Sequence, residues 1–160
     1  SEFVGNLADR LARVEHPFLG QVDQLHLENV IFTGRVDIIS YMEKLDFTIL
    51  TSISEGQPLS VLESFAARRP CVTTDVGCCR ELLNGNEEDR YGKAGYCVPP
   101  MYREGLAQAM DRMCASRARR LRMGENAQKR VKAYYRKEEM IEKYRKMYQE
   151  VEEADGRNRI

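Results

Sequence analysis

No apolar run in these 160 residues is longer than a few positions, far short of the roughly 20 that cross a bilayer. No basic stretch followed by an apolar one opens the chain, as a secretory leader would. These absences exclude a membrane-spanning helix and argue against secretion. Net charge is also absent, with 25 basic and 25 acidic residues. Histidine is scarce: His16 and His26 are the only two, both early in the chain. The five cysteines (71, 78, 79, 97 and 114) are odd in number, and Cys78-Cys79 lacks the spacing of a metal knuckle. The expectation is reduced thiols in a cytoplasmic protein, with no bound metal. Internal repeats and low-complexity stretches are missing too. Length and composition suit one globular domain.

The charge that is present is unevenly spread. Residues 1–116 hold 11 basic and 17 acidic residues, net −6; residues 117–146 hold 12 and 4, net +8; residues 147–160 hold 2 and 4, net −2. A basic helical block can attract nucleic acid or anionic lipid. It is equally what a solvated helix face looks like. The basic residues here alternate around the helices without a reading motif, which favours the solvated face and no nucleic-acid partner.

Four short β-rich runs stand between breakers: 29–33 before Gly34, 47–51 before a polar stretch, 71–74 after Pro70, and 95–98 before Pro99-Pro100. Nearly continuous apolar strands of this kind belong to sheets buried on both faces. Helix-sized segments separate them at 37–45, 59–69 and 78–83. This βαβ alternation predicts an α/β fold with a parallel sheet of about four strands flanked by helices. The rest reads as helical, at 102–115, 118–135 and 137–152, the last with Met140, Ile141, Tyr144, Met147, Tyr148 and Val151 on one stripe. Such a stripe is ordinarily core packing. The expected organisation is a helical segment over 1–28, the α/β domain over 29–116, helices over 117–153 and a disordered tail over 154–160.

In parallel sheets ligands bind beyond the carboxyl ends of the strands, which directs attention to loops 34–37, 52–60 and 75–79. The stretch from Ser52 to Glu63 is the most informative. Glu55 follows a strand end, and Glu63 lies eight positions on, inside a helix. Between them Gly56-Gln57-Pro58-Leu59-Ser60 forms a turn feeding the helix, whose free N–H groups and dipole suit a phosphate. Glu55 could accept hydrogen bonds from sugar hydroxyls, and Glu63 from a vicinal diol such as ribose. Taken alone, two glutamates at this spacing arise often by chance, as a loop residue and a solvated helix residue.

The surrounding motifs resemble the C-terminal domain of retaining GT-B glycosyltransferases of the glycogen-synthase-like class (glycosyl transferases group 1). The resemblance rests on FTGRV at 32–36 and on LTSISEGQPLSVLESFAARRPCVTTDVGCCRELL at 50–83, and continues through Gly95–Pro100 and Arg122-Met123-Gly124. The Thr-Ser-Ile-Ser-Glu-Gly-Gln-Pro-Leu and Thr-Asp-Val-Gly-Cys-Cys-Arg-Glu-Leu variants look like the PelF-like subgroup of exopolysaccharide synthesis. It implies a Rossmann-like half of a GT-B fold that binds a nucleotide-sugar donor such as UDP-glucose as substrate, without cofactor or metal. By the same resemblance Glu55 is the catalytic-site residue contacting the donor sugar and Glu63 holds the ribose. Gly56, Gln57, Pro58, Leu59 and Ser60 present the turn to sugar and diphosphate, and Arg35 and Val36 lie near the base.

The departures are also informative. Arg69 stands where the family usually has Gly before Pro, which predicts strain or a different turn there. Cys78-Cys79 replaces small residues, through packing or as a reactive thiol. The family's Gly-Arg strand and Lys-Gly helix start, whose Arg and Lys grip the diphosphate, are not recognisable in 1–27, and the acceptor-binding N-terminal domain is missing. The expectation is therefore a truncated piece, inactive alone, that pairs its open sheet edge in a homodimer, with a swapped dimer as one form of it. It would be cytoplasmic, with peripheral attachment at the inner membrane face. The alternative is a non-catalytic Rossmann-like protein-interaction module.

Overall fold

The computed structural model describes residues 30–157, in two compact units divided between Tyr41 and Met42. The helical segment expected over 1–28 lies outside the described residues. In the first unit, residues 30–36 are irregular. Helix α1 (Ile38–Met42) follows Asp37, whose carboxylate accepts from the Ser40 hydroxyl at 2.6 Å.

The second unit is an α/β sandwich. Its elements run β1 (Thr48–Leu50), α2 (Leu59–Ala66), β2 (Cys71–Thr74), α3 (Cys79–Asn84), β3 (Gly95–Val98), α4 (Arg103–Cys114), α5 (Arg117–Tyr134) and α6 (Lys137–Arg157). The sheet is parallel in the order β1-β2-β3, with Thr48 opposite Cys71 and Cys71 opposite Gly95. Central β2 is buried on both faces, as its unbroken Cys-Val-Thr-Thr run predicts. Cys71 packs into a core of Val61, Phe65, Leu82, Leu83 and Ala127, supplied by α2, α3 and α5, together with Ala94 just before β3. Val72 points to the other side, against Ala109 and Met113 of α4 and Met123. The alternation of strand side chains thus places one core on each side of the sheet.

Three expectations need correction. The sheet among the described residues has three strands rather than about four, because residues 30–33 are not a strand and Ile31 is 65% exposed. A run of β-formers becomes a strand only where a neighbour completes its hydrogen-bond ladder. The strain expected at Arg69 falls one residue earlier, at Arg68, with φ +60°. The Arg68 N–H bonds Phe65 O and the Arg69 N–H bonds Ser64 O at 2.8 Å, a Schellman closure that puts its left-handed residue at 68. Finally, α6 extends past the expected end at 152 to Arg157, and its apolar stripe does not pack into a core: Met140, Tyr144, Met147, Tyr148 and Val151 are exposed.

Two close approaches lock the helices. A Cβ on Gly124 of α5 would meet the Arg68 carbonyl oxygen at 2.1 Å, so glycine there lets α5 lie against the end of α2. Arg130 of α5 is 1% exposed and pairs with buried Asp89, and it also donates to the carbonyls of Leu82 (2.9 Å), Leu83 and Gly92 (2.7 Å). One member of the basic block is therefore a core residue rather than part of a solvated face.

Candidate functional site

The β1–α2 and β2–α3 loops meet at the carboxyl ends of their strands. Gly77 has φ +52°, and a Cβ there would sit 2.3 Å from the carbonyl oxygens of both Glu55 and Gly56. Only glycine allows so close a contact between the two loops. The Cys78 N–H seals it by donating to Gly56 O at 3.0 Å. On the other flank, the hydroxyl of buried Thr74 donates to Ser52 O, and the Ser52 hydroxyl donates to Glu55 Oε1 at 2.6 Å. The half-buried Glu55 is thus held at one oxygen.

Past this loop, buried Pro58 occupies the N-cap position of α2 with an extended backbone (φ −72°, ψ 112°) and no capping side chain. Its missing N–H and fixed φ suit a helix start. Among the described residues, no acceptor meets the backbone N–H of Leu59 or Ser60. Two donors and the positive end of the helix dipole are left open to solvent. Leu59 is 69% exposed, and Gly56, Gln57 and Ser60 are exposed beside it. Glu63, one turn into α2, is exposed, and among the described residues its carboxylate makes no hydrogen bond or ion pair. The second unit therefore carries Glu55, the 56–60 turn and Glu63 on one loop–helix segment. Arg35 and Val36 belong to the first unit, in its irregular stretch.

The neighbourhood holds further groups. Asp75 is bonded by Arg80, which keeps its carboxyl below the ordinary range despite the opposing effect of burial. Burial raises the Cys78 and Cys79 thiols, takes Cys97 to about 11 and Cys71 to about 12. Thiols so shifted are protonated at neutral pH, and Cys79 lies in the core, which favours packing over reactivity. A groove of about 480 Å³ runs from Gln57, Leu59 and Leu62 to Tyr135, Lys137 and Met140.

Sequence reasoning passed over Ser52, Thr74 and Gly77. Ser52 carried a usable signal, since it stands three residues before Glu55. Thr74 and Gly77 carried none, because their roles arise only where two loops distant in sequence meet.

A family model described as "Glycosyl transferases group 1" matches residues 3–116. A curated relative, N-acetyl-alpha-D-glucosaminyl L-malate synthase of Bacillus anthracis, is 28% identical over 141 residues, covering 87% of this chain and 35% of its own length. Sucrose-phosphate synthase of Thermosynechococcus elongatus superposes with a TM-score of 0.74 at 25% identity, over 84% of this chain and 33% of that one. S. aureus TarM, solved in complex with UDP among other ligands, superposes with a TM-score of 0.71 at 21% identity, over 84% of this chain and 27% of that one. The chain thus spans about a third of the length of each of these three proteins.

Proposed function

This chain belongs to the glycosyl transferases group 1 family, and from that premise we propose that it is the donor-binding domain of a retaining hexosyltransferase of polysaccharide synthesis. Its donor is a UDP-sugar, with UDP-glucose the first choice, and the chain is inactive alone. The observation that carries the reading is the segment 55–63: a positioned carboxylate, then two helix N–H groups and, one turn further on, a second carboxylate, these last three without a partner among the described residues. The spacing suits a sugar, a diphosphate and a ribose in that order.

Breaking the sugar–phosphate bond leaves negative charge on the diphosphate, and the Leu59 and Ser60 amides at the head of α2 stabilise it without a metal. Glu55 orients the sugar through its hydroxyls, and Glu63 accepts from the two ribose hydroxyls. The UDP in the TarM complex agrees with this choice of base. Arg35 and Val36 would meet the base through main-chain contacts. Transfer fails in the isolated chain because an acceptor-binding domain and the basic residues gripping the diphosphate are supplied elsewhere. The protein would work in the cytoplasm, peripherally attached at the inner membrane face.

Calorimetric titration of UDP and UDP-glucose, beside a Glu63→Ala variant, tests this. Binding of both ligands that the variant loses is the expected result; no binding to the unsubstituted chain at millimolar ligand would sink the reading. The edge of β1 away from β2 carries no strand among the described residues, and open edges template pairing. A homodimer through this edge, with strand exchange as one route, is expected. A gel-filtration mass equal to the 18.5 kDa chain at high concentration would refute it.

The exposed stripe on α6 favours a second reading, a Rossmann-like module that binds a protein and not a nucleotide. It predicts no UDP binding and no effect of Glu63→Ala.

A further inference from the structure

We infer that Ser52 is a positioning residue that gives the site its selectivity for the sugar over the bare nucleotide, acting by holding Glu55 in one orientation. The inference rests on the reading of Glu55 as the donor-sugar contact and adds what aims it.

A glutamate has three side-chain torsions and, when ionised, only accepts hydrogen bonds. Left free on a loop, Glu55 would spread over many rotamers and meet a sugar hydroxyl in few of them. The Ser52 hydroxyl removes that freedom by donating to Oε1 at 2.6 Å, a length typical of a hydroxyl on a charged carboxylate. It occupies one acceptor site of Oε1 and leaves the other oxygen for ligand hydroxyls.

Ser52 is itself held. Its carbonyl accepts from Thr74 Oγ1, and Thr74 is the last residue of β2, the central strand. The alignment of Glu55 is therefore set by the core of the sheet through Thr74 and Ser52 in turn. Gly77 and Cys78 clamp the opposite side of the same loop through the Glu55 and Gly56 carbonyls, fixing the backbone but not the carboxylate. The two devices are separable: the 77–78 contact serves the whole loop, whereas the Ser52 hydroxyl serves one side chain.

The consequence is specific. In the proposed reading the diphosphate and ribose are met by the head of α2 and by Glu63, neither of which is hydrogen-bonded to Ser52 among the described residues. Loss of the Ser52 hydroxyl should weaken only the part of binding that the sugar adds.

The experiment is calorimetric titration of UDP and of UDP-glucose into the full chain and into Ser52→Ala, Ser52→Thr, Glu55→Ala, the double variant Ser52→Ala/Glu55→Ala, and Thr74→Val. Freeing one side chain that must be ordered again on binding costs about three- to tenfold in affinity. Ser52→Ala should lower UDP-glucose affinity by that factor while UDP affinity stays within about twofold, and Ser52→Thr should restore it. In the Glu55→Ala background the Ser52→Ala change should have no further effect, because the two act as one unit. Thr74→Val should show the same sugar-selective loss in weaker form, and it stands in if Ser52→Ala does not fold.

Equal losses for UDP and UDP-glucose would overturn the inference, as would a silent Ser52→Ala with a silent Thr74→Val, or an effect of Ser52→Ala that persists without Glu55. An unsubstituted chain that binds neither ligand overturns the donor-site reading and this inference with it. Binding of both ligands with unchanged selectivity in the variants overturns the inference alone.

Discussion

The two ends of the sheet treat their polar groups in opposite ways. At the amino end of β3, the loop from Gly85 to Ala94 is drawn inward by Arg130. This side chain bonds Asp89 through two nitrogens and satisfies carbonyls of Leu82, Leu83 and Gly92. No charge in that cluster faces water. At the carboxyl ends, the loop backbone is clamped just as firmly, but the functional groups it carries are left open: the Leu59 and Ser60 N–H groups and the Glu63 carboxylate have no protein partner among the described residues. The contrast is that of groups spent on folding and groups left without a partner among the described residues, which the proposed donor site would use. A buried ion pair must be fully satisfied or it costs stability, whereas an unpaired donor at a helix start costs little while water reaches it.

Substitutions sharpen that contrast. Arg130→Ala should have the largest effect, because it leaves Asp89 buried without its counter-charge; a loss of about 3–5 kcal/mol is expected, read from urea unfolding. A loss under about 1 kcal/mol would show that water or a moving loop relieves Asp89 and that the closed end is less closed.

The same pair makes the closed end sensitive to acid. Burial alone would raise the Asp89 carboxyl, but the Arg130 hydrogen bonds and the Tyr91 N–H outweigh it and hold the group below its ordinary value. With a folded pKa below the unfolded value of about 3.9, Asp89 contributes stability that is fully present above that value. The contribution disappears as pH falls through the folded pKa. Unfolding curves for Asp89→Asn should therefore lack part of the acid slope below about pH 4; identical slopes would deny the pair that role.

Glu63→Ala tests the open end by the reverse criterion. It should change stability by no more than about 0.5 kcal/mol while abolishing nucleotide binding; a large loss of stability would mean the side chain serves the fold. The smallest effect is expected at Arg68→Gly. Relief of the left-handed backbone at φ +60° should outweigh the exposed ion pair with Glu125. A gain of a few tenths to about 1 kcal/mol in thermal or urea unfolding is expected; a net loss would show that the ion pair is worth more than its exposure suggests.

The strands at 48–50, 71–74 and 95–98 were legible because each is a short β-rich run between breakers, and the loop and helix of the candidate site segment because the turn and the two glutamates are contiguous in the chain. The run at 29–33 has the same composition, yet residues 30–33 form no strand. A strand is a relation between two segments, and local composition describes only one. The apolar stripe of α6 misleads for the same reason: spacing shows that a face is apolar, not what lies against it. Arg130, within a block of like charge, offered no local sign that it is buried, because its partner lies 41 positions away.

The sequence by itself determined the α/β alternation, the family, and the order of carboxylate, turn and carboxylate along one loop and helix, since all of these are local in the chain. Tertiary structure alone decided that Arg130 is core, that Gly77 must lack a side chain, and that Thr74 and Ser52 aim Glu55. These depend on which distant segments touch, and distances across a fold are set by packing the sheet between its helices rather than by any stretch of residues read alone.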